Sequence, residues 1–546
     1  MNAQLGFFNI PPIENEPLQH FAPGSAERAK LEGAIKELRS QMPFEVPCVV
    51  NGQKVTTCEV LEQRIPYEHK SVVCRYHAAD TLTVEKAVQG ALTAKEKWEK
   101  MPWIDRAAIF LKAADLLSTK YRYKILAATM LGQGKNAWQA EIDAAVELCD
   151  FWRFAVQFTD ELYRQQPPKN PKGMWNRLEY RALEGFIYAI SPFNFTAIGG
   201  NLGTTPAILG NVVLHKPSDY AVLSNYFIYE LMEEAGLPKG VVQFLPGSAP
   251  AITDQLLAHP DFAALAFTGS TQVFRQLWKK VGANMDIYRG YPRIVGETGG
   301  KNFHVVHSSA DIRQVALQTV RGAFEYQGQK CSATSRVYVP DTIWEKLKEE
   351  LLHEHAKIKM GTPEDFKNFM GPVIHRQAFN KIQAYIKETV ADPDCQIIAG
   401  GKCDDSVGYF VEPTIIVTKN PRSKTMVDEI FGPVVTIYVY KSEDFDQVLH
   451  LVNETTGYAL TGSIFAKDRE IIAHATEVLR HAAGNFYVND KCTGSVVGQQ
   501  PFGGGRGSGT NDKAGSASFL QRFVSTRTIK ENFALLDEFA YISNQS

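Results

Sequence analysis

Residues 185–195 read Gly-Phe-Ile-Tyr-Ala-Ile-Ser-Pro-Phe-Asn-Phe, and a helical pattern follows as far as Leu209. Five apolar residues with no polar alternation describe a strand covered on both faces. The Ser-Pro-Phe-Asn turn then redirects the chain into the helix. The rhythm repeats: strand 212–215, helix 221–235, strand 241–245, helix 252–258, strand 265–267, helix 272–281 and strand 293–295. Short buried strands alternating with helices predict a doubly wound parallel sheet. The fold class is α/β.

Downstream, a second α/β unit begins near Lys301. It reads as strand 303–306, helix 312–326, Cys331, strand 336–339, helix 342–358, strands 414–417 and 434–440, helix 445–453 and strand 463–465. Upstream, β-branched residues around Asn51-Gly52 predict a hairpin. Helices are expected over 26–41, 82–100, 103–121 and 137–162. Residues 163–180 are too rich in proline for a core. They lead into 175–183, which alternates like a strand, so this segment reads as an arm that leaves the body and returns. The extended segment near 520–546 also lacks an obvious partner in its own domain, and such strands invite a second subunit.

Composition narrows the function. The chain has 546 residues, with 58 Lys and Arg against 60 Asp and Glu. Binding to a phosphate backbone needs a basic excess, so nucleic acid is not an expected partner. No apolar run approaches the roughly 20 residues of a membrane span. The first twenty residues contain no Lys or Arg, unlike a secretory signal or an Arg-rich transit peptide. Eight scattered cysteines without a C-x-x-C pair suggest free thiols in a reducing compartment. His353 and His355 fall on different sides of a helix, and no metal site is expected.

Several residues carry chemistry, each with a plainer reading beside it. Cys331 follows Gln-Gly-Gln-Lys in a polar turn. Alone it reads as a packing cysteine, but a neighbouring cation favours the thiolate, the nucleophilic form. Glu297 follows the last strand of the first sheet in Val-Gly-Glu-Thr-Gly-Gly-Lys-Asn, where doubly wound sheets bind ligands; otherwise it is a surface carboxylate in a turn. Asn194 is either a turn residue or an amide donor to a developing oxyanion. Lys216 ends the second strand, placed for ribose or phosphate. Residues 267–271, Phe-Thr-Gly-Ser-Thr, end one strand and open a helix whose N-terminus suits pyrophosphate. The loops 492–495 and 501–507 read alone as connectors.

In order and spacing, Pro192-Phe193-Asn194-Phe195, Gly236-Leu237-Pro238-Lys239-Gly240-Val241 with Pro246-Gly247, Phe267-Thr268-Gly269-Ser270-Thr271, Glu297-Thr298-Gly299-Gly300-Lys301-Asn302, Gly328-Gln329-Lys330-Cys331 and Glu429-Ile430-Phe431-Gly432-Pro433 resemble the NAD(P)-dependent aldehyde dehydrogenase superfamily. The chain looks most like the branch that oxidises glutamate γ-semialdehyde, the open form of pyrroline-5-carboxylate, to glutamate in proline degradation. That likeness rests on Ser-Pro-Phe-Asn-Phe-Thr, Glu-Thr-Gly-Gly and the Ser332-Ala333 that follows Cys331.

The resemblance implies Cys331 as nucleophile, Glu297 as the base that activates water and Asn194 as oxyanion donor. It implies NAD as cofactor, held by Ser191, Lys216, Gly269, Ser270, Thr271, Gln272, Val273, Glu429 and Phe431. Asp219 stands where the family usually carries a ribose-binding Glu, and NAD remains preferred over NADP. Phe195 and Phe502 would flank the aliphatic stem of the substrate, with Ser332 beside the nucleophile and Gly494 and Ser495 anchoring the carboxylate. The implied organisation is a cofactor domain over 1–162 and 184–300, a catalytic domain over 301–489, a small β oligomerisation arm from 163–183 and 520–546, and anchor and Gly-rich loops over 490–519. A homo-oligomer, best a dimer, and a mitochondrial matrix location follow from the same likeness. Another semialdehyde dehydrogenase shares every catalytic residue. A thioesterase or esterase using Cys331 and Glu297 without cofactor, or a non-catalytic structural protein, stands as the reading from another class.

Overall fold

The alternation after Gly185 builds the sheet it predicts. In the computed structural model, which describes Gly6 and residues 8–545, seven strands form the first sheet. They are β1 (Cys48–Val50), β2 (Gln53–Val55), β3 (Phe186–Ile190), β4 (Val213–Lys216), β5 (Val242–Phe244), β6 (Phe262–Thr268) and β7 (Arg293–Glu297). Their order is β7-β6-β3-β4-β5-β1-β2. The run from β7 to β5 is parallel, while β1 and β2 add an antiparallel hairpin at one edge. The predicted hairpin turn is present, with Asn51 and Gly52 both at positive φ (56° and 70°). The chain enters at β3, winds outward through β4 and β5, then crosses back to β6 and β7. The winding reverses between β3 and β6, and that is where an open parallel sheet leaves a crevice beyond its carboxyl ends.

A helical layer covers one face. α1 (Arg122–Gln133) follows a five-residue π turn at Leu117–Tyr121, where the sequence reading ends its helix. Ile125 to Gln133 are buried without interruption, so α1 has no polar stripe by which a period would show. The predicted helix at 137–162 is right in extent. Asn136 caps it by accepting the Gln139 N–H at 2.9 Å, and a π segment, Glu141–Val146, precedes α2 (Glu147–Tyr163). α3 (Thr196–Thr204) follows β3, and α4 (Thr271–Ala283) follows β6. α5 (Ile312–Phe324) opens the second unit.

The second sheet comprises β8 (Asn302–Val306), β9 (Thr334–Pro340), β10 (Cys395–Ala399), β11 (Thr414–Thr418), β12 (Val434–Tyr440), β13 (Thr461–Phe465) and β14 (Asn485–Val488). Their order is β10-β11-β12-β9-β8-β13-β14, parallel except at β10. The sequence reading assigns neither β10 and β14 nor the helices Arg376–Ala391 and Arg469–Val478. The first of those helices nevertheless shows its buried period in Phe379, Ile382 and Ile386.

The arm differs from expectation. Met174–Ala182 and Val524–Asn532 pair with each other over nine antiparallel positions, from Val524–Ala182 to Asn532–Met174. Each is therefore the other's partner. The C-terminal strand stops at Asn532, well short of 546. A five-residue helix, Ala517–Gln521, precedes it, and only a short 3-10 turn, Ile542–Asn544, follows. Among the described residues, no helix is long and apolar enough to cross a membrane.

Candidate active site

Cys331 stands on an unusual turn. α5 ends at Phe324 instead of running to Tyr326, because Tyr326, Gln327 and Gly328 are all left-handed, with φ of 48°, 56° and 65°. For a side chain bearing Cβ, such backbone costs roughly 1–2 kcal/mol per residue. Surrounding contacts hold it there. The Tyr326 hydroxyl donates to the Gln133 carbonyl at 2.7 Å, and Gln327 Nε2 donates to the carbonyls of Pro372 (2.8 Å) and Gly134 (3.2 Å). Asn302 Nδ2 donates to the Cys331 and Ala333 carbonyls at 2.7 and 2.8 Å.

Lys330 does not serve Cys331 as the sequence suggested. Its buried ammonium lies 3.2 Å from Asp143 and 3.8 Å from Glu325, turned into the helical layer. Asp143 also pairs with the buried Lys135. Burial pushes the Cys331 thiol well above its ordinary range, and the carboxylates of Glu297, Glu429 and Glu147 push it further. The expectation that Lys330 favours the Cys331 thiolate is not met: the cation beside Cys331 in sequence is already paired with Asp143 and Glu325.

Glu297 closes β7 at the carboxyl edge, and its strand is pinned by the loop 507–510. Thr298 N–H donates to the Ser508 carbonyl at 2.9 Å, and Thr298 Oγ1 donates to the Gly507 carbonyl at 2.7 Å. Gly509 permits this approach: at φ 137°, a Cβ there would lie 2.3 Å from the Gly296 carbonyl oxygen. Burial lifts the Glu297 carboxyl to about 8, against a downward pull from the Lys513 ammonium. A carboxyl so placed exchanges its proton near neutral pH. Asn194 is buried and spends one N–H on the Gln329 carbonyl at 3.0 Å, two residues before Cys331. The turn and the amide are thus fixed to one another.

A cavity of about 370 Å³ opens onto Cys331. Its walls bring together Phe195, Ser332, Gly494, Ser495 and Phe502, five residues from four separate stretches of sequence. The Ser332 hydroxyl lies 2.6 Å from that of Thr493, tying the residue after Cys331 to the loop opposite. Gly494 has φ 92°, which turns the backbone there as few other residues allow. Glu147 also lines the chamber, and burial raises its carboxyl.

The remaining predicted residues lie along the carboxyl edge of the first sheet and the facing edge of the second. Ser270 caps α4, accepting the Val273 N–H at 3.3 Å, while Gly269 N–H donates to the Glu297 carbonyl at 3.2 Å. Lys216 ends β4 with its ammonium 2.9 Å from Asp219. Ser191 turns its hydroxyl to His215 at 2.9 Å, inside the sheet. Val273 is exposed on the first turn of α4. Thr271, Gln272 and Glu429 share a cleft of about 630 Å³ between α4 and the second unit. Glu429 accepts the Gly300 N–H at 2.9 Å, and Phe431 beside it is left-handed, φ 57°. A helix N-terminus, an ammonium and a carboxylate strung along one edge suit pyrophosphate and ribose hydroxyls in turn, so this donor set fits a dinucleotide.

The sequence reading missed the supports: Gln133, Gly134, Lys135 and Asp143 behind the turn, and Asn15 at the chamber wall. Among the described residues, no three His, Cys, Asp or Glu side chains are grouped to hold a metal ion.

A profile of the aldehyde dehydrogenase family matches residues 53–529. Delta-1-pyrroline-5-carboxylate dehydrogenase of Agaricus bisporus is 58% identical over 543 residues, covering 99% of this chain and 99% of that one. The mitochondrial delta-1-pyrroline-5-carboxylate dehydrogenase of Homo sapiens is 50% identical over 530 residues, covering 97% and 94%. The crystal structure of the delta-pyrroline-5-carboxylate dehydrogenase from Mycobacterium tuberculosis bound with NAD superposes with a TM-score of 0.96, at 44% identity and full coverage of both chains.

Proposed function

The chain belongs to the aldehyde dehydrogenase family, and from that premise we propose that it oxidises L-glutamate γ-semialdehyde, the open form of Δ1-pyrroline-5-carboxylate, to L-glutamate with NAD. One observation carries the reading: the chamber at Cys331 joins a thiol, two aromatic walls and a polar loop. An aldehyde with a short aliphatic stem and a charged amino-acid end fits that sequence of surfaces.

The chemistry follows from the groups in place. Cys331 loses its proton to solvent, and the thiolate attacks the aldehyde carbon, forming a thiohemiacetal. The second N–H of Asn194 and the Cys331 backbone N–H receive the oxyanion. NAD, when bound, supplies the acceptor for the hydride. Glu297 then takes a proton from the water that opens the Cys331 thioester and releases the acid. Lys216 and Glu429 would meet the two riboses, and the first turn of α4, with Gly269, Ser270, Thr271, Gln272 and Val273, the pyrophosphate. Ser191 and Phe431 would complete the nicotinamide side. Gly494 and Ser495 would hold the substrate carboxylate, with Phe195 and Phe502 along its stem.

The cofactor domain is read as 1–162 with 184–300 and the catalytic domain as 301–489. The two-stranded arm is read as the contact of a homodimer, and the mitochondrial matrix as the compartment. Initial rates with a panel of aldehydes, including equilibrated pyrroline-5-carboxylate, with and without NAD, test the activity. A preference for a simple aldehyde, or acid release without NAD, would refute it. Sedimentation before and after deleting the arm tests the dimer; a monomer in both cases removes it.

A further inference from the structure

The substrate chamber has a wall that comes from far away in sequence. Asn15, Glu16 and Leu18 line it beside Gly494 to Val497. The segment is held tightly: Glu16 accepts from Arg122 at 2.6 Å and Arg153 at 2.7 Å, Arg122 Nη2 donates to the Pro17 carbonyl at 2.9 Å, and Gln19 N–H donates to the buried Glu141 at 2.8 Å. Asn15 has a different task. Its Nδ2 donates to Asp150 Oδ2 at 2.7 Å and to the Val497 carbonyl at 2.8 Å, while its Oδ1 accepts from Gln499 Nε2 at 3.0 Å. One side chain thus ties α2 to the loop that carries Gly494 and Ser495.

We infer that Asn15 is a positioning residue for substrate selection: by fixing Val497 and Gln499 against α2, it sets the loop that meets the charged end of the substrate. The inference rests on the proposed activity. Both N–H groups and the oxygen of the Asn15 amide are spent on Asp150, Val497 and Gln499, so its loss should act on recognition and spare the chemical step. Asp150 also accepts the Glu16 N–H at 2.7 Å, which keeps the segment seated when Asn15 is cut back.

The test measures Asn15→Ala on glutamate semialdehyde and on propanal, with calorimetric binding of L-glutamate as a readout free of turnover. Losing two contacts to the loop should raise KM for the semialdehyde and Kd for L-glutamate by about tenfold, with kcat within about twofold. Propanal, which has no charged end, should lose much less. A second variant, Asn15→Asp with Asp150→Asn, restores the link to α2 with donor and acceptor exchanged, yet sets a carboxylate oxygen against the Val497 carbonyl. Its KM should stay raised. Equal losses on both substrates, unchanged binding of L-glutamate, or a normal KM in the exchanged pair would each overturn the inference. Failure of the wild type itself to oxidise the semialdehyde would instead strike the proposed activity, and the inference would fall with it.

Discussion

The two ends of the chamber are built on opposite plans. Around Cys331 at one end, and at Glu297 in its electrostatic reach, burial disfavours charge and raises both groups. At the far end, the loop 493–499 offers a left-handed glycine, hydroxyls and backbone groups, held by hydrogen bonds from Asn15 and Ser332. The first end stores unfavourable electrostatics that a reaction can release. The second is preorganised to receive charge. On the proposed roles, reactivity would lie in buried ionisable side chains and selection in backbone that is fixed from elsewhere.

The largest test of that contrast is Cys331→Ala. Oxidation should fall below about 1% of wild type while NAD still binds, because the lost group forms the covalent bond and the cofactor edge is untouched. More activity than that would falsify the nucleophile assignment. Glu297→Gln should separate the steps: a burst of NADH survives, and steady-state turnover falls by about a hundredfold or more. The wild-type steady-state rate should climb with pH as Glu297 loses its proton around 8, and the Gln variant should lose that climb. If burst and turnover vanish together, Glu297 acts before the thioester or in folding.

How much of this was legible in the sequence differs between the two ends for the same reason. Glu297 and Asn194 sit in contiguous motifs at the carboxyl ends of strands, where a parallel sheet places its functional groups, Cys331 sits in a motif just before β9, and strands β3 to β7 were readable as short apolar runs. The supports were not. Tyr326 and Gln327 adopt left-handed backbone that nothing in their side chains announces, and the contacts that hold them come from Gln133, Gly134 and Pro372. α1 is buried all round and shows no period. Lys330 misled because adjacency in sequence says nothing about where an ammonium points, and this one points to Asp143. Asn15 could not be found at all, since its partners are 135 and 482 residues away.

At the receiving end the expected effect is smaller. Removing a hydrogen bond to a charged group costs roughly 1.5–3 kcal/mol, about ten- to a hundredfold in rate. Ser495→Ala should lower kcat/KM for glutamate semialdehyde by about that factor and for propanal far less. Similar losses on both substrates would mean that the loop merely connects, and the contrast between the two ends would collapse.

The smallest expected effect tests the claim that the reacting end carries unfavourable electrostatics. Burial raises the Glu297 carboxyl from 4.5 to about 8, so the folded protein prefers it neutral. In the unfolded chain it ionises near pH 4.3. The native state therefore binds the proton more tightly across the interval between those values. Its contribution to stability is fully present below the lower value and is lost as pH rises toward 8. Glu297→Gln keeps the shape and cannot ionise. Its melting temperature should match wild type at pH 4.5 and exceed it increasingly up to pH 8, with little further change above. Proximity of Lys513 works against the effect, so the gain is expected to be a few degrees at most for a protein of this size. A difference that is constant with pH, or that shrinks as pH rises, would show that the carboxylate is comfortable where it sits, and the two ends of the chamber would then differ in chemistry alone and not in strain.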